Sequence, residues 1–97
     1  MSDLLSQFDY CVKYINSSKK GSINLDNMTK LEFYALYKQA MVGDCTQKRP
    51  SAINIVARYK HDAWKKLTEE KVSKEECMQR FIKRFKEIAP KDALAKL

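Results

Sequence analysis

The stretch Ser73-Lys-Glu-Glu-Cys-Met-Gln-Arg-Phe-Ile-Lys-Arg-Phe-Lys-Glu-Ile-Ala89 decides the fold class. It opens with a capping box, Ser73 followed three residues later by Glu76, a pairing that satisfies free amides of a first helical turn. Cys77, Phe81, Ile82, Phe85, Ile88 and Ala89 then recur at helical spacing as one apolar stripe, which Pro90 ends. Upstream, Ile53 to Leu67 carries Val56, Ala63, Trp64 and Leu67 on one side, and the irregular stretch Asp44 to Ser51 precedes it. A helix begun by Asn24 or Asp26 runs to about Val42 and stops at Gly43, with Met28, Leu31, Leu36 and Ala40 as its buried candidates. Leu4, Phe8, Cys11, Val12 and Ile15 mark a first helix, and the polar run Ser17 to Ser22 breaks it. No segment alternates with period two for long enough to make a strand. The expected fold is all-α, with four helices.

Composition limits what such a domain does. At 97 residues the chain is one domain, with a core over about residues 4–89 and a tail over 90–97. Hydrophobic residues at 44% are too many for a disordered chain, and two Gly with two Pro are too few for a turn-rich sandwich. The net charge of +7 is uneven: residues 1–48 hold six Lys and five acids, residues 49–97 thirteen Lys/Arg and seven acids. A positive half attracts nucleic acid, anionic lipid or phosphorylated small molecules, and composition does not choose among them. Cys11, Cys45 and Cys77 are odd in number and far apart, unlike a secreted disulfide framework. With the lone His61 they show no metal-ligand spacing, so no metal site is expected. Charged residues interrupt the N-terminal apolar run, no stretch is long enough to span a bilayer, and Ser2 stands where myristoylation needs Gly. A reduced, soluble, cytoplasmic protein is expected.

Polar residues inside apolar stripes point to a site. Tyr34, Tyr37, Lys38 and Met41 stand at i, i+3, i+4 and i+7, which puts two phenols and an ammonium on one strip. Lys60 interrupts the face shared by Val56, Ala63, Trp64 and Leu67. Either both lysines snorkel at the rim of a core with the tyrosine hydroxyls wet, or the helices flank a cleft with aromatic walls and cations at its mouth. Such a cleft suits a ligand that combines an aromatic ring with phosphates.

The residues match a family at this point. Tyr34-Ala-Leu-Tyr-Lys-Gln-Ala-Met-Val-Gly-Asp44 closely resembles the Y-x-x-Y-K-Q-A-T-V-G-D signature of acyl-CoA-binding proteins. Arg49-Pro50 follows like the family's R-P, then Lys60-His-Asp-Ala-Trp64 is similar to K-W-D-A-W, and Ser73 to Met78 resembles the start of the last helix. The similarity spans about Phe8 to Ile88. It implies a single acyl-CoA-binding domain, a four-helix up-down-down-up bundle that holds long-chain acyl-CoA in a surface groove without chemistry. By the same resemblance, Tyr34, Tyr37 and Lys38 contact the nucleotide part of CoA, and Lys60 pairs with the 3′-phosphate. Phe81 falls where the family usually has a ligand-contacting tyrosine, so a ring contact remains and a hydroxyl is lost. His61 replaces a tryptophan, Ser51 replaces a glycine, and Asn16 lies near a family lysine without a secure alignment. The implied ligand is long-chain acyl-CoA with no further cofactor, and the implied state is a monomer.

The chemistry of CoA agrees. Its phosphates need localised charge, which lysine supplies through charge-assisted bonds. Adenine offers a π-face, and stacking on an aromatic ring contributes on the order of 1–3 kcal/mol. An acyl tail gains about 0.8 kcal/mol per buried CH₂, so a palmitoyl chain gains on the order of 10 kcal/mol gross.

Three other readings compete. A thioesterase needs a nucleophile and a base, and Cys45 with His61 is the only pairing the sequence offers. Nucleic-acid binding rests on Lys65, Lys66, Lys71, Lys74, Arg80, Lys83, Arg84 and Lys86, but Glu69, Glu70, Glu75, Glu76 and Glu87 are interspersed among them. That mixture reads as a solvated face with at most transient contact to anionic membrane surfaces, and no nucleic-acid partner is expected. A membrane-inserting helix is the third, and the apolar stripes are better explained as core.

Overall fold

The computed structural model describes residues 3–17, 25–95 and 97. Four main helices, α1 (Leu4–Ser17), α2 (Asn27–Met41), α3 (Ile55–Glu69) and α4 (Lys74–Ile88), are followed by the single turn α5 (Lys91–Leu94). No strand occurs among the described residues. The loop expected from Ser17 to Ser22 lies outside them, apart from the backbone of Ser17, which still belongs to α1. So does Asn24; the other candidate, Asp26, is the N-cap of α2 and accepts from the Thr29 amide at 2.7 Å.

The remaining helix ends follow from local chemistry. Ser73 caps α4 by accepting from the Glu76 amide at 3.1 Å, while Glu76 turns its carboxylate to Arg80 one turn on. Asn54 caps α3, so this helix starts two residues later than its apolar pattern. At the end of α2, Gly43 takes φ +99°, a left-handed conformation that side chains other than glycine's adopt only with strain. Its amide donates to the Lys38 carbonyl at 3.1 Å.

Helix α1 packs on α4, α4 on α2, and α2 on α3. Phe81 of α4 is the aromatic centre: its ring lies edge-on to Phe8 of α1 at 5.0 Å and tilted against Phe33 of α2 at 4.6 Å. Trp64 of α3 is 2% exposed, and its indole N–H donates to the Gly43 carbonyl at 2.8 Å. Two expected faces need correction. In α2, Leu36 and Ala40 are buried, but Met28 is 75% exposed and Leu31 only half-buried; Phe33 and Ala35 take their place in the core. In α3, Val56 is 63% exposed and Ala63 half-buried, so only the C-terminal half of this helix enters the core. The Tyr10 hydroxyl donates to the Ala93 carbonyl at 2.8 Å and holds α5 beside α1.

One buried polar cluster joins the pieces. Gln39, 3% exposed, donates through Nε2 to the Val72 carbonyl at 3.2 Å and to the Asp44 carboxylate at 3.1 Å. Its Oε1 accepts from the Thr68 hydroxyl at 2.9 Å, and that hydroxyl accepts from the Cys45 amide at 2.8 Å. A single amide thereby ties α2 to α3 and to the loops that follow both.

Candidate functional site

Tyr34, Tyr37, Lys38 and Phe81 line one groove of about 380 Å³ between α1, α2 and α4. Val12, Ile15 and Asn16 supply its α1 wall, and Phe33, Leu25 and Lys30 complete it. The i, i+3, i+4 spacing in α2 is what sets Tyr34, Tyr37 and Lys38 side by side. The Tyr37 ring stacks on Phe8 at 6.3 Å, so its position is fixed from beneath by the core.

Lys60 arrives from α3. Its ammonium lies 5.3 Å from the centre of the Tyr34 ring, and Lys38 approaches the same ring at 5.9 Å and Trp64 at 5.3 Å. Two cations thus lie over the Tyr34 ring, and neither forms an ion pair among the described residues. That leaves their charge available to an incoming anion. Lys60 also lines an adjoining, mainly apolar groove of about 530 Å³ with Met28, Leu31, Val56 and Tyr59, and Lys30 borders both grooves. All five residues expected at the site therefore meet along one surface. The sequence reading missed Lys30, whose signal was its place one turn before Tyr34.

Phe81 is 2% exposed, so it is core first and groove wall second. Phe81→Tyr is therefore expected to change ligand affinity by less than the 0.5–1.5 kcal/mol or so of a new hydrogen bond, because desolvating the hydroxyl costs about 1–3 kcal/mol. Phe81→Leu should weaken binding by removing ring contact. Calorimetric titration of both variants checks this, and a tenfold gain for Phe81→Tyr, about 1.4 kcal/mol, would contradict the apolar wall.

The Cys45–His61 pairing does not form a nucleophilic site. Cys45 is buried. Asp62 does orient His61, at 3.1 Å from Nδ1, but Nε2 is 2.9 Å from the Gln47 carbonyl and is not directed to a thiol. Asp62 in turn accepts two bonds from Arg49, at 3.1 and 2.8 Å. Those bonds, with His61, hold its carboxyl at about 2, well below the usual range. The trio clamps the loop after α2 onto α3. No cluster able to hold a metal ion occurs among the described residues.

An all-helical bundle with a basic, aromatic-walled groove has the shape and charge to receive a phosphorylated ligand, and its resemblance to known proteins specifies the class. The sequence profile of the family described as Acyl CoA binding protein matches residues 6–85. Acyl-CoA-binding protein homolog 3 of Caenorhabditis elegans is 40% identical over 91 residues, covering 93% of this chain and 77% of the relative. Acyl-CoA-binding domain-containing protein 4 of Homo sapiens is 40% identical over 90 residues, which cover 92% of this chain and 33% of the human protein. The crystal structure of Oryza sativa Acyl-CoA-Binding Protein 2 superposes with a TM-score of 0.76 at 36% identity, covering 88% of this chain and 87% of that one. The acyl-CoA-binding protein of Moniliophthora perniciosa gives 0.81 at 29% identity, covering 98% and 91%. The chain belongs to the acyl-CoA-binding protein family, and its fold is that family's four-helix bundle.

Proposed function

We propose that the protein binds long-chain acyl-CoA esters as a monomeric cytoplasmic carrier, performing no chemistry on them. The observation that carries this reading is the pair Lys38 and Lys60, both over the Tyr34 ring, at a groove walled by Val12, Ile15, Phe33 and Phe81. The cations suit the phosphates, the tyrosines suit adenine, and the apolar walls suit the acyl chain. The chain term dominates affinity, and the lysines set the pose and discriminate the ester from free fatty acid. Three free, buried thiols suit a reducing compartment.

Calorimetric titration with acyl-CoAs of graded length, with free CoA and free palmitate as controls, tests the reading. Incubated palmitoyl-CoA should be recovered unhydrolysed. Lys60→Ala should leave the fold intact and weaken binding by about 1.5–3 kcal/mol, the range for a lost charge-assisted bond. Against a dephospho-CoA ester, which lacks the 3′-phosphate, the variant and the parent should differ little. Equal losses on both ligands would remove Lys60 from the phosphate and leave it a packing role.

A further inference from the structure

The groove does not account for the start of α3. Ile53 is 92% exposed, and Ile55, Val56 and Tyr59 are exposed beside it. Single exposed apolar residues are ordinary, but four within seven positions form a patch. Ile55, Val56 and Tyr59 share one side of the helix by their spacing. The charge around the patch is one-sided as well: residues 45–61 contain no Asp or Glu and carry Lys48, Arg49, Arg58 and Lys60. Arg49 is occupied by Asp62, whereas Lys48, Arg58 and Lys60 have no ion-pair partner among the described residues. No helix among the described residues is long and apolar enough to cross a membrane.

We infer that the loop before α3 and its first turns, from Lys48 to Lys60, form a docking face for anionic lipid surfaces. Ile53 and Ile55 enter the headgroup boundary, Tyr59 sits at the interface level, and Lys48 and Arg58 pair with lipid phosphates. This differs from the mixed charges of residues 65–87, where the glutamates Glu76 and Glu87 already occupy Arg80 and Arg84. Charge complementarity requires an anionic occupant, and the exposed Ile53, Ile55 and Val56 beside the cations select a lipid surface over a nucleic acid, which offers them no apolar interior. The face borders the Lys60 groove through Val56 and Tyr59, so docking there would bring the groove to the membrane.

Sedimentation of the ligand-free protein with vesicles tests this independently of acyl-CoA binding. The protein should pellet with phosphatidylglycerol–phosphatidylcholine vesicles and stay in solution with pure phosphatidylcholine. Ile53→Ser/Ile55→Ser should weaken partition roughly tenfold or more, and Lys48→Gln/Arg58→Gln should do likewise, each with an unchanged thermal melt. The isoleucine variant should still titrate acyl-CoA normally, because neither residue lines the grooves. Three results would overturn the proposal: no pelleting with anionic vesicles, undiminished pelleting of both variants with loss on Lys66→Gln/Lys83→Gln instead, or a dimer in analytical ultracentrifugation that the isoleucine variant abolishes.

Discussion

Trp64→Ala is expected to lower the unfolding free energy by about 3–5 kcal/mol, a large fraction of the total for a domain of this size. Trp64 is among the most deeply buried of the large side chains, and its removal leaves a cavity where α3 meets α2. Two further losses add to the transfer cost. The Gly43 carbonyl loses the indole donor at 2.8 Å, just where α2 ends in a left-handed glycine. Lys38 also loses the ring beneath it, so its approach to Tyr34 loosens. Urea unfolding of Trp64→Ala and Trp64→Phe separates the contributions. The phenylalanine variant keeps most of the volume and should lose chiefly the hydrogen bond, about 1–3 kcal/mol. An alanine variant as stable as the parent would mean that α3 is not anchored through this residue.

The second large effect is expected at Gln39. Gln39→Leu keeps the size of the side chain and removes three hydrogen bonds at once, to Val72, Asp44 and Thr68. The Val72 carbonyl loses a buried donor, whereas the Thr68 hydroxyl still reaches the Trp64 carbonyl at 3.4 Å. The expected cost is about 2–4 kcal/mol, set by the orphaned partners rather than by packing. Chemical denaturation measures it, and Gln39→Glu adds a control: a buried carboxylate facing the Val72 carbonyl should be at least as damaging. A leucine variant with unchanged stability would show that these partners find water instead.

The sequence made the helices legible because each carries its own punctuation, as Asp26, Gly43 and Ser73 show. The faces were less legible, for a physical reason. Helix α2 packs against both α3 and α4, so its apolar residues are not confined to one stripe. Met28 and Leu31 therefore looked like core, and Phe33 and Ala35 did not. In α3 the stripe runs on past the point where the helix leaves the bundle, and Val56 was misplaced for that reason. The groove strip of Tyr34, Tyr37 and Lys38 could be read from spacing within one helix. Lys60 was legible only as a break in the apolar face of α3, one of two open readings, because its contact with the Tyr34 ring is set by how α3 packs on α2 and by no spacing within either helix. The bond from His61 to the Gln47 carbonyl was out of reach altogether, since a backbone acceptor has no residue-type signature.

The run from Tyr34 to Asp44, which covers the second half of α2 and the start of the loop after it, holds two kinds of residue. Tyr34, Tyr37 and Lys38 face the groove; Gln39, Ala40, Gly43 and Asp44 serve burial, the helix end and the polar cluster. A descendant that abandoned its ligand while still needing to fold would be free to change the first set and compelled to keep the second. Recognising such a chain by the whole run would then report ancestry and architecture, with no guarantee of cargo. Conversely, the groove-facing positions can be rewritten for a different guest on an undisturbed frame, which makes this helix a natural starting point for redesigned lipid receptors.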